Sequence, residues 1–298
     1  MAEFIHVKEV GLRDGLQLIK TKLPTSIKKE WLKKQVNAGF KEVEISSMVS
    51  KTLLPQFSDA AEMINFAKQF SDCSSSVLVP NLRGARLAFD AKAQKIIFVV
   101  SASESHNLAN VNMTIKQSLG ELKEIMYLRE KTPEIKGISI IGSISTSFGC
   151  SIAGNISEKS VLKIVEKMLL LGVNEISIAD TVGYANPRQV KSLMNKAIKL
   201  SKSVPVIGHF HDTRGFGLAN LVAAIDEGVK KFDASLRGLG GCPYAPGASG
   251  NIATEDCVNL LESMGYNTGI DLEKLKELCR DIAHWMPNET LYGKFTTT

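Results

Sequence analysis

The sequence of 298 residues has no run approaching the roughly 20 consecutive apolar residues that span a bilayer, so no helical membrane segment is expected. Its opening stretch, MAEFIHVKEV, puts Glu3 and Lys8 where a signal peptide carries its apolar segment. The final Thr296-Thr297-Thr298 matches no retrieval or lipidation signal, which makes the cytoplasm the expected compartment. Cysteine is scarce. The five, at 73, 150, 242, 257 and 279, are odd in number and lack CxxC spacing, which argues against a disulfide framework and a zinc knuckle. A strong charge of one sign is also missing: 36 Lys and Arg against 31 Asp and Glu leave +5. Lys28, Lys29, Lys33 and Lys34 are scattered in one helical stretch and nothing else of that kind occurs, so no nucleic-acid partner is expected.

What is present is an alternating series of elements. Short apolar runs at 5–10, 41–45, 76–79, 95–100, 137–142, 175–178, 204–209 and 231–234 read as eight strands. Between them lie helical patterns over 27–38, 58–70, 82–92, 115–131, 158–171, 187–200 and 216–227. Helices over about 254–264 and 271–285 finish the chain. The helix over 158–171 is the best marked, with Val161, Leu162, Val165, Met168 and Leu169 in one stripe and Gly172 after it. Eight nearly continuously apolar strands alternating with helices predict a closed parallel (β/α)8 TIM barrel with extra C-terminal helices, one domain over residues 1–298. An open doubly wound sheet is the competitor. It calls for a G-x-G-x-x-G turn after its first strand, whereas this chain has Gly11-Leu12-Arg13-Asp14-Gly15.

Barrel active sites lie at the C-terminal ends of the strands, so the polar groups there belong together. They are Arg13-Asp14 after strand one, Glu44 on strand two, Asp180-Thr181 after strand six, His209-Phe210-His211-Asp212 after strand seven and Arg237 after strand eight. His209 and His211, two apart, face one volume. With Asp14, and with the amide oxygen of Asn251, they would suit an octahedral magnesium or manganese ion; zinc is less favoured because no cysteine clearly joins the cluster. Plainer readings exist for each: an Arg13–Asp14 ion pair, Cys242 as a small buried side chain, Asn251 as a cap, and Glu44 or Asp180 orienting an arginine or backbone group. The segment 238–251, GLGGCPYAPGASGN, exceeds an ordinary strand-to-helix link and is expected to form a lid. The segment 143–155, which contains Cys150, is also long.

The segments EVGLRDGLQ (9–17), ADTVG (179–183), HFHDTRG (209–215) and GLGGCPYA (238–245) resemble the 3-hydroxy-3-methylglutaryl-CoA lyase family of metal-dependent barrels, with the likeness running from the first strand to Glu255. The resemblance implies cleavage of (S)-3-hydroxy-3-methylglutaryl-CoA to acetyl-CoA and acetoacetate, with a divalent cation, Mg2+ or Mn2+, on Asp14, His209, His211 and Asn251. It implies that Arg13 steadies an enolate oxygen and that Gln17 lies beside the substrate. Cys242 corresponds to the reactive lid cysteine, and Glu44, Asp180 and Glu255 to the acidic residues supporting the site. Catalytic work is thereby placed on Arg13, His209, Cys242, Asp180 and Glu44, and substrate contact on Arg13, Gln17 and Glu44. A homodimer acting on an acyl-CoA, without membrane or nucleic-acid partners, is expected.

Two stretches depart from the family pattern. Residues 50–56 read SKTLLPQ and residues 150–154 read CSIAG, where the family carries a lysine, a tryptophan and further polar groups. The alternatives are therefore a lyase for a related 3-hydroxyacyl-CoA, a condensing synthase, or a non-catalytic acyl-CoA-binding barrel.

Overall fold

The structure is a computed structural model in which residues 2–241 and 250–295 are described. In chain order the elements are β1 (His6–Glu9), α1 (Thr25–Asn37), β2 (Glu42–Ser47), α2 (Ala60–Ala67), β3 (Ser74–Val79), α3 (Leu82–Asp90), β4 (Lys95–Ser101), α4 (Glu104–Val111) and α5 (Ile115–Lys131). Then follow β5 (Ser139–Ser145), α6 (Glu158–Leu171), β6 (Glu175–Asp180), α7 (Pro187–Ser201), β7 (Val206–Phe210), α8 (Gly217–Asp226), β8 (Lys231–Ala234), α9 (Thr254–Ser263) and α10 (Leu272–Trp285). The strands pair in sequence order, all parallel, and β8 closes onto β1. This is the expected (β/α)8 barrel. The helix α9 fills the eighth helical position, so α10 alone is the added C-terminal helix. It lies on α1, with Trp285 and Trp31 ring centroids 6.4 Å apart and Asp281 bonded to Lys34 at 2.5 Å.

The strand interiors depart from the expected apolar character. Outward residues such as Val43, Ile45, Val77, Val79, Ile96, Phe98, Ile140, Ile176, Ile178 and Phe232 join the main core against the helices. Inward residues are largely charged or hydroxylic. Near the N-terminal ends of the strands, Glu42 accepts from Lys95 at 2.8 Å and from Lys231 at 2.7 Å, and faces His6 at 3.5 Å. Glu175 pairs with the same two lysines. Side chains from β1, β2, β4, β6 and β8 meet only inside the barrel, so this ion cluster plugs one end. Above it Ile97, Ile141 and Ile207 form a small apolar cluster separate from the main core.

This pattern explains the displaced boundaries. The fifth strand was expected over 137–142 and runs Ser139–Ser145, and the second extends to Ser47. Polar inward positions conceal a strand from a reading based on apolar runs. The helix α4 was not anticipated for the same reason, since its buried residues are His106 and Asn107. Asn107 anchors it by accepting from Ser101 N–H at 2.8 Å and donating to Met113 O at 2.7 Å and Ser118 Oγ at 2.9 Å.

Burial alone would raise the Glu42 pKa, but the hydrogen bond from His6 and the charges of Lys231, Lys8 and Lys95 outweigh it and hold the carboxyl well below its ordinary range. A carboxylate depressed in the folded state contributes stability that is complete above its unfolded pKa, near 4.5, and is lost as pH falls below that. Glu42→Gln is expected to lower stability at pH 7 by about 3 kcal/mol, because buried cations lose their partner. It should also flatten the decline of stability below pH 4.5, measured by urea unfolding across that range.

Candidate active site

The turn after β1 places the first two site residues. From Gly11 to Gly15 the backbone takes a wide π-type turn, with Gly15 N–H and Leu16 N–H reaching back five residues to Val10 O at 3.3 Å and Gly11 O at 2.9 Å. Such turns are rare and recur at functional sites. The buried Glu9 secures it, with Oε1 accepting from Gly11 N–H at 3.0 Å and Leu236 N–H at 2.7 Å and Oε2 accepting from Gln35. Burial pushes this carboxyl up to about 8 despite those bonds.

Asp14 is thereby aimed across the C-terminal mouth. Its Oδ1 accepts from Arg13 Nη1 at 2.5 Å, while Oδ2 lies 3.7 Å from His211 Nε2 and 3.9 Å from His209 Nε2. Ligand atoms of Asp14, His209 and His211 all fall within 4.8 Å of one another. The two imidazoles, centroids 5.2 Å apart, stand at alternate positions, His209 within β7 and His211 just past its end, as their spacing predicts. Burial works against charge on Asp14, but the Arg13 guanidinium and both imidazoles overcome it and hold the carboxylate ionised far below its usual range. Burial also opposes charge on His209, and the hydrogen bond and charge of Asp233 reverse the balance and raise its pKa.

Asn251 arrives by tertiary structure. Residues 250–253 cross between the ends of β7 and β8, with Asp212 N–H bonded to Gly250 O at 3.1 Å and Ile252 N–H to Phe210 O at 3.1 Å, which sets Asn251 opposite His211. Its Nδ2 donates to Asp14 Oδ2 at 2.6 Å and to Leu239 O at 3.1 Å. Its buried Oδ1, like His211 Nδ1, has no hydrogen-bond partner among the described residues. A buried oxygen without a donor is costly unless something else engages it. Three convergent ligand atoms and this amide oxygen are a donor set that fits a hard divalent cation. Gly240 makes room: a Cβ there would stand 2.6 Å from Asn251 Nδ2 and 3.5 Å from Asp14 Oδ2.

Arg13 is gripped on two sides. Nε and Nη2 donate to Glu44 Oε1 at 2.5 Å and Oε2 at 3.1 Å, and Nη1 reaches Asp14 and, at 3.4 Å, Gln17 Oε1. A planar cation clamped by a bidentate carboxylate is fixed in position before any substrate arrives. Glu44 and Gln17 thus bear on Arg13. Asp180 has a different setting: its two oxygens accept from Tyr184 N–H at 2.9 Å and Ala185 N–H at 3.0 Å, anchoring the loop after β6, and burial raises its pKa. Glu255 accepts from Arg237 N–H at 3.0 Å and stands 3.6 Å from the Arg237 guanidinium, bracing the turn after β8. Cys242 lies outside the described residues, as does most of the expected lid, 242–249.

Sequence reading passed over Glu9, Gly240, Lys8 and Asp233. Asp233 binds His209 Nδ1 at 3.1 Å and pairs with Lys8 at 3.0 Å. The available signal was a charge inside each of two short strands, Lys8 beside Val7 on the first and Asp233 between Phe232 and Ala234 on the eighth.

Fold and site together define a parallel-barrel protein with a carboxylate–imidazole cluster able to hold a metal ion and a clamped arginine at the C-terminal mouth. The chain belongs to the HMGL-like family, whose profile matches residues 5–282. It is 37% identical over 277 residues to the cytoplasmic 3-hydroxy-3-methylglutaryl-CoA lyase of Rattus norvegicus, covering 93% of this chain and 80% of that one. It is 38% identical over 273 residues to the mitochondrial hydroxymethylglutaryl-CoA lyase of Bos taurus, covering 92% and 83%. Among solved structures, an HMG-CoA lyase from Acinetobacter baumannii in complex with coenzyme A and 3-methylmalate superposes with a TM-score of 0.91 at 41% identity, covering 96% of this chain and 92% of that one. No helix among the described residues is long and apolar enough to cross a membrane.

Proposed function

We propose that the protein is a divalent-metal-dependent carbon–carbon lyase that cleaves (S)-3-hydroxy-3-methylglutaryl-CoA to acetyl-CoA and acetoacetate. The observation that carries this reading is the convergence of Asp14, His209 and His211 beside a pre-clamped Arg13, in a chain whose relatives bear that name. Asp14 Oδ2, His209 Nε2, His211 Nε2 and Asn251 Oδ1 would hold the ion, Mg2+ or Mn2+. A bound cation supplies Lewis acidity that lowers the pKa of the substrate's tertiary hydroxyl. Arg13 presents a fixed positive charge where the thioester enolate oxygen becomes negative as the C2–C3 bond breaks. Glu44 has both oxygens engaged with Arg13 and Asp180 has both engaged with backbone, so these two position the site. His209, with Nε2 toward the ion and Nδ1 bonded to Asp233, has no free lone pair, so proton transfer at the hydroxyl and at C2 falls to Cys242 among the catalytic residues named above. Gln17 lies beside Arg13 at the substrate side, and Glu255 supports the turn leading to Gly240.

The enzyme is read as one catalytic domain over 1–298, working on a small acyl-CoA as a cytoplasmic homodimer with no nucleic-acid or membrane partner. A lyase for a related 3-hydroxyacyl-CoA is the second reading. The segments that depart from the family pattern present exposed apolar side chains, Leu53 and Ile152, in the connections after β2 and β5.

The test is acetyl-CoA release from 3-hydroxy-3-methylglutaryl-CoA by metal-stripped protein, before and after adding Mg2+ or Mn2+, with His211→Ala alongside. Turnover restored by metal in the natural sequence and absent from the variant is the expected result. Tight metal binding without turnover would shift the assignment to another acyl group.

A further inference from the structure

Lys8, Asp233 and His209 occupy one rung of the barrel. In the strand register Lys8 on β1 is the partner of Asp233 on β8, and Asp233 is the partner of His209 on β7. All three side chains are buried. Lys8 Nζ lies 3.0 Å from Asp233 Oδ1, and Asp233 Oδ2 lies 3.1 Å from His209 Nδ1. One carboxylate therefore divides its two oxygens between a cation and an imidazole.

We infer that Lys8 and Asp233 are positioning residues for the metal site, holding His209 with the proton on Nδ1 so that the Nε2 lone pair is turned toward Asp14. This rests on the metal-binding reading given above. An imidazole presents either nitrogen by exchanging tautomers or rotating its ring, and a carboxylate on one nitrogen fixes both choices. Asp233 Oδ2 can only accept, so it selects the ring with hydrogen on Nδ1. That leaves Nε2, 3.9 Å from Asp14 Oδ2, as the atom facing the cluster. Lys8 explains how such a carboxylate is maintained: a buried anion needs a compensating charge, and by occupying Oδ1 the ammonium leaves Oδ2 to the histidine. Lys8 has no hydrogen-bond or ion-pair contact with Asp14, His211 or Asn251; its ion pair is with Asp233, and its charge also acts on Glu44 and Glu42.

The competing explanation is that the rung is an ion pair that merely closes the β1–β8 seam. It predicts lost stability with unchanged metal affinity. Asp233→Asn removes the anion but strands Lys8, so a second variant, Lys8→Met with Asp233→Asn, removes both charges and remains interpretable should the single variant fail to fold. Full-length protein is stripped of metal and its melting temperature recorded. Free Mn2+ is then titrated by electron paramagnetic resonance, and the protonated nitrogen of His209 is identified by 15N–1H NMR.

In the natural sequence we expect Mn2+ binding and hydrogen on Nδ1. Both variants should bind Mn2+ about 10- to 100-fold more weakly and lose the single tautomer, with the double variant more stable than Asp233→Asn alone. Wild-type Mn2+ affinity in either folded variant would overturn the inference, as would hydrogen on Nε2 with none on Nδ1 in the natural protein. Failure of the natural protein to bind Mn2+ would refute the metal-site reading itself, while the tautomer in the metal-free protein would still decide whether Asp233 orients the ring.

Discussion

Arg13→Lys is expected to lower kcat for 3-hydroxy-3-methylglutaryl-CoA by about 10²- to 10³-fold at saturating metal, the loss typical of removing one preorganised donor to a developing oxyanion. The charge survives this substitution but the geometry does not. The guanidinium uses Nε and Nη2 for a bidentate bond to Glu44 while Nη1 serves Asp14 and Gln17. One ammonium cannot occupy these positions together, so Glu44, itself buried, loses part of its pairing and the cation loses its fixed direction. KM should change less than kcat, because charge on the enolate oxygen develops only as the carbon–carbon bond breaks. Steady-state kinetics at saturating Mn2+ test this, and a kcat within tenfold of the natural enzyme would remove Arg13 from the assigned role.

Asp14→Asn is expected to weaken Mn2+ binding by about 100-fold or more, beyond the range typical of an outer-shell partner, and to abolish turnover at micromolar metal. The carboxylate is the only anionic member of the proposed donor set, and its Oδ2 is the point to which both imidazoles and Asn251 converge. An amide there supplies at most one neutral oxygen and brings N–H groups against the imidazoles or Arg13. Arg13 would keep Glu44 as its partner, so the fold should survive. Calorimetric titration of metal into the variant, with circular dichroism as the check on folding, separates lost binding from lost structure. Unchanged affinity would show that Asp14 only pairs with Arg13.

Much of this site was open to reading in one dimension because its residues lie at strand ends in short segments. The Arg13-Asp14 pair, the alternation of His209 and His211, and Glu44 on the second strand each occupy positions that barrel geometry brings to a common mouth. Asp180, at a strand end, and Glu255, in the first turn of α9, show the limit of that reasoning: a carboxylate near the mouth serves backbone N–H groups as readily as a substrate, and only the bonding partners tell which. The interior of the barrel was harder to read, since Lys8, Glu42, Glu175, Lys231 and Asp233 interrupt the apolar runs by which strands are found.

The sequence by itself determined the barrel, because the order of strand and helix patterns admits few closed parallel arrangements, and it determined the pairing of His209 and His211 at the end of β7, because period-two spacing alone puts both imidazoles on one face. Only the tertiary structure decided that Asn251 stands opposite His211, that Glu44 clamps Arg13, and that Lys8 and Asp233 stand behind His209. Those partners are separated by 24 residues or more, and such contacts follow from barrel closure and strand register, which no local pattern encodes.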